Sequence, residues 1–169
     1  PDVKAGFMDV VSFPSLEVSM LMLNMNSALG NSNLRSAVWH GLSHEYSEEL
    51  GSGFLSSISQ FAASGIFGFS TNVPERVQDF SQAWVFRNRV PGAVYLTIDV
   101  PTGLSALAKA ISLDLEDVNI IVDINIVPTA EYEEYILAGN SDMYFFGWKY
   151  DLGDASDFYD SVLHSPTGN

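Results

Sequence analysis

Ala93-Val-Tyr-Leu-Thr-Ile-Asp-Val-Pro-Thr-Gly-Leu-Ser-Ala-Leu-Ala-Lys-Ala-Ile-Ser-Leu-Asp-Leu-Glu-Asp-Val-Asn-Ile-Ile-Val-Asp-Ile-Asn-Ile-Val127 decides the fold. Two short apolar runs, Ala93 to Val100 and Val118 to Val127, flank a helical pattern from Leu104 to Leu115. The pattern repeats downstream, with a helix from Ala130 to Ala138 and an apolar run from Met143 to Phe146. Thr102 or Ser105 is the expected start signal of the first helix and Pro128-Thr129 that of the second, while Gly139-Asn140 supplies a left-handed stop. The order β-α-β-α-β calls for parallel strands joined by right-handed helical crossovers. In such open sheets ligands gather beyond the carboxyl ends of the strands, which directs attention to the loop from Gly147 to Gly153.

Upstream, Val18-Ser-Met-Leu-Met-Leu-Asn-Met-Asn26 is short and almost continuously apolar, as expected of a buried strand. Leu34, Ala37, Val38, Gly41 and Leu42 then recur at three- and four-residue intervals, which predicts a helix from about Asn33 to Tyr46, capped by Asn31 or Ser32. A second helix is expected after Ser47, carrying Leu50, Phe54, Leu55, Ile58, Phe61 and Ala62. Gly65 to Asn72 reads as a loop, Pro74 as the first residue of a helix through Glu75 to Trp84, and Arg87 to Gly92 as a connection. A last helix is predicted from Asp154 through Phe158, Val162 and Leu163 to Pro166.

The chain has 169 residues, 47% of them hydrophobic, which matches one domain with a sizeable core. Its formal charge of −14 argues against nucleic acid and anionic membrane surfaces as partners, and attracts, without specificity, cations or ligands with an exposed ammonium group. Without cysteine there is no disulfide, thiolate metal site or cysteine nucleophile. No apolar run reaches the roughly 18 residues of a membrane span.

Nothing in the motifs points to catalysis. Neither a Gly-x-Ser-x-Gly elbow nor a phosphate-cradling Gly-x-x-x-x-Gly-Lys loop occurs, and Glu131, Glu133 and Glu134 read as acids favoured by a helix N-terminus. No enzyme and no cofactor is expected. His40, His44 and Glu48 stand four apart, yet lack the His-Glu-x-x-His pattern of a zinc protease and read as a solvated helix face. Asp151, Asp154, Asp157 and Asp160 recur every third residue, which suits caps and surface acids better than a calcium loop. The candidate binding residues are Trp148, whose flat ring can cover a ligand, and Asp151, whose carboxylate can pair with a cation. The same pattern also fits a core anchor at Trp148, a turn at Asp151 and a cap at Asp154.

Five segments, in order, resemble the second lobe of extracytoplasmic solute-binding proteins of the peptide/nickel class. Lys4-Ala-Gly-Phe-Met-Asp9-Val-Val is similar to that family's "aGeiDv" segment, and Met22-Leu-Asn-Met-Asn26 with Asn33-Leu-Arg35-Ser-Ala37 to its "FN…vRqA". The helix containing Ala106 to Leu115 stands in place of "ia..iq.qL". Glu131-Tyr132 and Asp142-Met143 follow, and Gly147-Trp148-x-x-Asp151 is similar to "GW..D". The resemblance implies one α/β lobe, residues 1–169, of a periplasmic-binding-protein type II fold: a mixed, mainly parallel sheet with helices on its faces. The partner lobe would be encoded on both flanks.

It further implies a binding protein that delivers oligopeptides or similar small solutes to ABC permease subunits by hinge closure, outside the cytoplasm on the outer face of the membrane. Trp148 would lie against the ligand and Asp151 would pair with a peptide's N-terminal ammonium, while Arg35 would be structural. A nickel chelate or an oligosaccharide is the alternative ligand within the same fold, and a small α/β enzyme or interaction domain the alternative outside it. Two departures bear on detail. The family's Asp-Pro before the final helix is Asp154-Ala155, and Asp99-Val-Pro-Thr-Gly103 lacks the Arg with which some dipeptide binders hold the ligand carboxylate.

Overall fold

A computed structural model describes residues 15–43, 57–139 and 141–163. The described chain falls into two compact units. One comprises Ser19–Ser59 and Asn72–Gly147, and the other Pro1–Val18, Gln60–Thr71 and Trp148–Asn169.

The first unit is built on β2 (Val94–Pro101), whose Val94, Leu96, Ile98 and Val100 all point to one buried face. It pairs in parallel with β3 (Ile120–Val127) along its whole length, and with β4 (Met143–Lys149) at Ile98 opposite Met143 and Asp99 opposite Tyr144. β1 (Glu17–Leu23) completes the order β1-β4-β2-β3. The Asn24 amide donates to the Asp142 carbonyl and the Tyr150 amide to that of Leu16, so the chain around β1 runs antiparallel to β4. The expected mixed, mainly parallel sheet is what forms.

Helices α1 (Ser32–Gly41), α2 (Phe80–Arg87) and α3 (Ser105–Glu116) cover the buried face, and α4 (Tyr132–Leu137) follows β3. Leu34, Ala37 and Val38 of α1, Ala83 of α2 and Ala108, Ile111 and Leu115 of α3 share one core with β2, Ile120 and Met143. Gly41 is where α1 comes closest: a Cβ there would meet Val118 at 3.3 Å and Leu115 at 3.5 Å. Asn31 caps α1 through its side chain, as anticipated, and Arg35 donates to the carbonyls of Leu29 and Gly30 at 2.7 and 2.8 Å, the structural role its position implied.

Several sequence expectations are corrected. Helix α1 ends at Gly41, because Arg76 donates to the carbonyls of Trp39, Leu42 and Ser43, Gln78 to that of Gly41, and the Asp79 amide to that of His40. Those bonds satisfy the last turn and hold residues 75–79 across it. Pro74 therefore opens no helix; α2 begins at Phe80, with the Asp79 carboxylate accepting from the Gln82 amide. Arg87 belongs to that helix. Its buried guanidinium donates to the carbonyls of Asn119, Val90 and Gly92 at 2.8–3.0 Å.

Neither α3 nor α4 carries a side-chain cap at its start, so Thr102, Ser105 and Thr129 do not serve in that role. Gly139 does take the predicted left-handed stop, and Asn119 takes another after α3. The start of the second predicted helix, with His44, Glu48, Leu50 and Phe54, lies outside the described residues, as do Lys4 to Asp9, Asn140 and Pro166. Residues 57–62 are not helical. No helix among the described residues is long and apolar enough to cross a membrane.

In the second unit, the segment after β4 passes through bends at 151–153 into a short α-turn, Ser156–Phe158, that widens into a π-type turn over Tyr159–Leu163. This is the predicted terminal helix, and the Asp154 carboxylate accepts from the Ser156 amide at 2.8 Å at its start. Residues 60–71 run beside it, joined by a parallel bridge between Phe67 and Asp154.

Candidate functional site

Gly147 to Gly153 leaves the carboxyl end of β4, the strand end at which ligands of open α/β sheets sit. Three side chains of this loop behave differently. Trp148 is half-buried, Tyr150 is buried, and Asp151 is exposed. Tyr150 is the anchor: its hydroxyl donates to the Phe61 carbonyl at 2.9 Å, and its ring lies edge-on to Phe158, which is fully buried. Burial, reinforced by Tyr159 and Asp157 nearby, raises its phenol above the ordinary range, so it remains a neutral donor. Trp148 leans edge-on against the same Phe158, with ring centroids 5.6 Å apart.

The far side of the loop is fixed through the backbone. The Phe67 amide donates to the Gly153 carbonyl at 2.8 Å, and the Ala155 amide to the Phe67 carbonyl at 3.0 Å. Gly153 turns with φ +67°, a conformation glycine adopts without strain. Residues 60–70 are themselves clamped, because the Gln60 amide group both donates to the Ser70 carbonyl and accepts from the Ser70 amide. The loop therefore presents the Asp151 carboxylate to solvent from a frame tied at Tyr150 and Gly153. Sequence reasoning took Gly65 to Asn72 as a plain loop and missed that it braces this one; the Phe and Gly content alone does not reveal a bridge across more than 80 residues.

In the sheet unit, the carboxyl ends of the strands carry a polar group of Asp99, Asn125 and Tyr132 that the sequence does not mark as a cluster. Beyond the two pairs Ile98–Met143 and Asp99–Tyr144, the Tyr132 hydroxyl of α4 is inserted between β2 and β4. It accepts from the Phe145 amide at 2.9 Å and sits 3.0 Å from the carbonyls of both Asp99 and Phe145, to either of which it can donate. Desolvation raises its phenol as well, opposed by the bond to Phe145. Beside it the buried Asp99 carboxylate accepts from Asn125, which also donates to the Tyr135 hydroxyl. Burial raises the Asp99 carboxyl above its ordinary 3.8, Asn125 lowers it, and Asp142 adds a further rise.

Other candidates are placed as follows. His40 stacks on Phe86, with centroids 5.5 Å apart. Among the described residues no group of three His, Cys, Asp or Glu can hold a metal ion. A surface groove among Ala28, Leu34, Pro91 and Tyr95 lies at the amino end of β2, the strand end such sheets do not use for ligands.

Residues 2–169 match the family described as "Bacterial extracellular solute-binding proteins, family 5 Middle". No curated protein matches the chain. Among solved structures, the fold is similar to that of a periplasmic binding protein, DppA, from Helicobacter pylori in complex with the peptide STSA, with a TM-score of 0.80 and 24% identity over 88% of this chain and 30% of that one. NikA from Staphylococcus aureus in complex with Ni(L-His)2 is similar at a TM-score of 0.77, with 16% identity over 90% of this chain and 34% of that one. The oligopeptide-binding protein AppA from Bacillus subtilis, in complex with a nonapeptide, is similar at 0.74, with 14% identity over 90% and 34%. The chain thus spans about a third of the length of these proteins, and these are binding proteins.

Proposed function

Since the chain belongs to family 5 of the bacterial extracellular solute-binding proteins, we propose that it is a non-catalytic, ligand-gripping lobe, residues 1–169, of a two-lobe binding protein that carries oligopeptides to an ABC permease outside the cytoplasm. The second lobe, supplied by chain on both flanks, closes over the ligand. Because the closed form contacts the ligand from both sides, binding shifts the open and closed populations with no covalent step. Asp151 accepts a charge-assisted hydrogen bond from the peptide's N-terminal ammonium, and Trp148 lies against the chain of the ligand.

The observation that carries this reading is the division of labour in the loop after β4. Tyr150, not Trp148, is the buried anchor, which leaves Trp148 partly open and the Asp151 carboxylate exposed on a braced turn.

Calorimetry on the two-lobe protein tests it. Free-amine peptides are expected to bind about 10- to 100-fold more weakly after Asp151→Ala, the range of a charge-assisted hydrogen bond. N-acetylated peptides should bind poorly to the wild type and be indifferent to the substitution. Equal affinity of the wild type for free and acetylated peptides refutes the role given to Asp151.

A further inference from the structure

Two apolar side chains, one next to Asp151 in sequence and one on the segment bonded to its turn, are left uncovered. Phe67 and Leu152 are each 79% exposed, more than any other aromatic or aliphatic residue among the described residues of this unit. Leu152 follows Asp151 directly, and Phe67 is fastened to the same turn by the bond from its amide to the Gly153 carbonyl. Their exposure does not come from a shortage of apolar partners, since Phe61, Phe158 and Tyr150 pack together within the unit. Holding a phenylalanine and a leucine in water on a braced turn forgoes the burial that either would gain.

The charge of this unit restricts what can cover them. Its described residues carry carboxylates at Glu17, Asp151, Asp154, Asp157 and Asp160 against a single cation, Lys149. A partner that is apolar and anionic would be repelled, whereas one that is apolar and cationic is matched on both counts.

We infer that Phe67 and Leu152 form a receiving surface for an apolar substituent borne next to the ligand's ammonium group, so that the preferred solutes are amines with a hydrophobic first side chain. The inference rests on the assignment of Asp151 as the ammonium acceptor and adds the chemistry of the neighbouring group. Covering one aliphatic side chain on this surface is expected to raise affinity roughly tenfold.

Isothermal calorimetry on the two-lobe protein containing this chain tests it with Leu-Gly-Gly, Gly-Gly-Gly, N-acetyl-Leu-Gly-Gly and phenethylamine. The wild type should hold Leu-Gly-Gly about tenfold tighter than Gly-Gly-Gly, and Phe67→Ser with Leu152→Ser should narrow that gap to about twofold while leaving Gly-Gly-Gly unchanged. Both residues are exposed, so folding is expected to survive the changes. Binding of phenethylamine with the same dependence on Phe67 and Leu152 would identify apolar amines in general as the ligand class; its failure to bind beside a preserved Leu-Gly-Gly gap would restrict the class to peptides.

An unchanged gap in the variants overturns the inference. So does a fall in the melting temperature of the ligand-free protein with the gap intact, which would show that the second lobe is what covers the surface. Equal binding of the acetylated and free leucyl peptides removes Asp151 from its role and leaves the effect of Phe67 and Leu152 readable on its own. If neither Leu-Gly-Gly nor phenethylamine binds, both assignments fall.

Discussion

The sheet unit and the loop unit are held together by different physics. In the first, four strands and three helices share one apolar core in which Leu34, Leu96, Ile98, Leu115 and Ile120 are all but inaccessible to water, so each contact is backed by many others. In the second, order comes from a few directional bonds: one phenol on one carbonyl, a bridge of two amides at Phe67, and one side-chain amide clamping Ser70. The first arrangement resists change, while the second sets a geometry that single substitutions can shift. The two properties suit different tasks, the first holding a fold and the second setting the aim of individual side chains.

The contrast yields four measurements. Leu115→Ala, or Ile98→Ala, should lower the unfolding free energy by about 2–5 kcal/mol, because both side chains are fully buried and truncating either leaves a cavity. Chemical denaturation monitored by circular dichroism measures the loss. Arg87→Ala should follow at about 2–3 kcal/mol, since the carbonyls of Asn119, Val90 and Gly92 lose their donor. A loss below about 0.5 kcal/mol would show that water replaces the guanidinium there. Tyr150→Phe should cost about 1 kcal/mol, and the loss should be local. Amide exchange at Phe67 and Ala155 should accelerate while that of Leu96 and Ile98 holds. Uniform acceleration throughout the chain would erase the distinction between the two units.

The smallest effect concerns pH. The Asp99 carboxyl is raised above its ordinary 3.8, chiefly by burial, so the folded chain holds that proton more firmly than the unfolded one. Its contribution is therefore present in full below the ordinary value and is lost as pH rises through the raised one. Asp99→Asn, which keeps an acceptor for Asn125, should remove this dependence. The stability of the wild type relative to the variant should decline from acid towards neutral pH. A rise over that interval would mean that the bond from Asn125 outweighs burial.

Much of the sheet unit was legible in the order of residues. Val94–Pro101, Ser105–Glu116, Ile120–Val127 and Met143–Lys149 each fall within a few residues of the expected spans, since burial on one or two faces imposes a period on the sequence. What escaped notice was decided at a distance. The end of α1 and the late start of α2 follow from Arg76, Gln78 and Asp79 reaching carbonyls more than 30 residues away. No local pattern records such reach. The same holds for the loop after β4, where Trp148 and Asp151 were readable as a pair but their support was not. Which of three neighbouring aromatic or acidic side chains sinks inward depended on Phe61 and Phe158, and it was Tyr150. Tyr132 stood out only as half of a motif, because a hydroxyl wedged between strands needs no characteristic spacing.

The clamp of Gln60 on Ser70 has a consequence for engineering. One side-chain amide makes both of the bonds that a neighbouring strand would otherwise supply, so the segment of nine residues between is closed at its own neck while Ala62, Ala63 and Ile66 sink inward and Ser64 and Phe67 stay outside. Varying Ser64 and the side chain at position 67 alone, with Gln60, Phe61 and the buried residues kept, offers a library that changes the outer face of this segment and leaves its internal bonds in place.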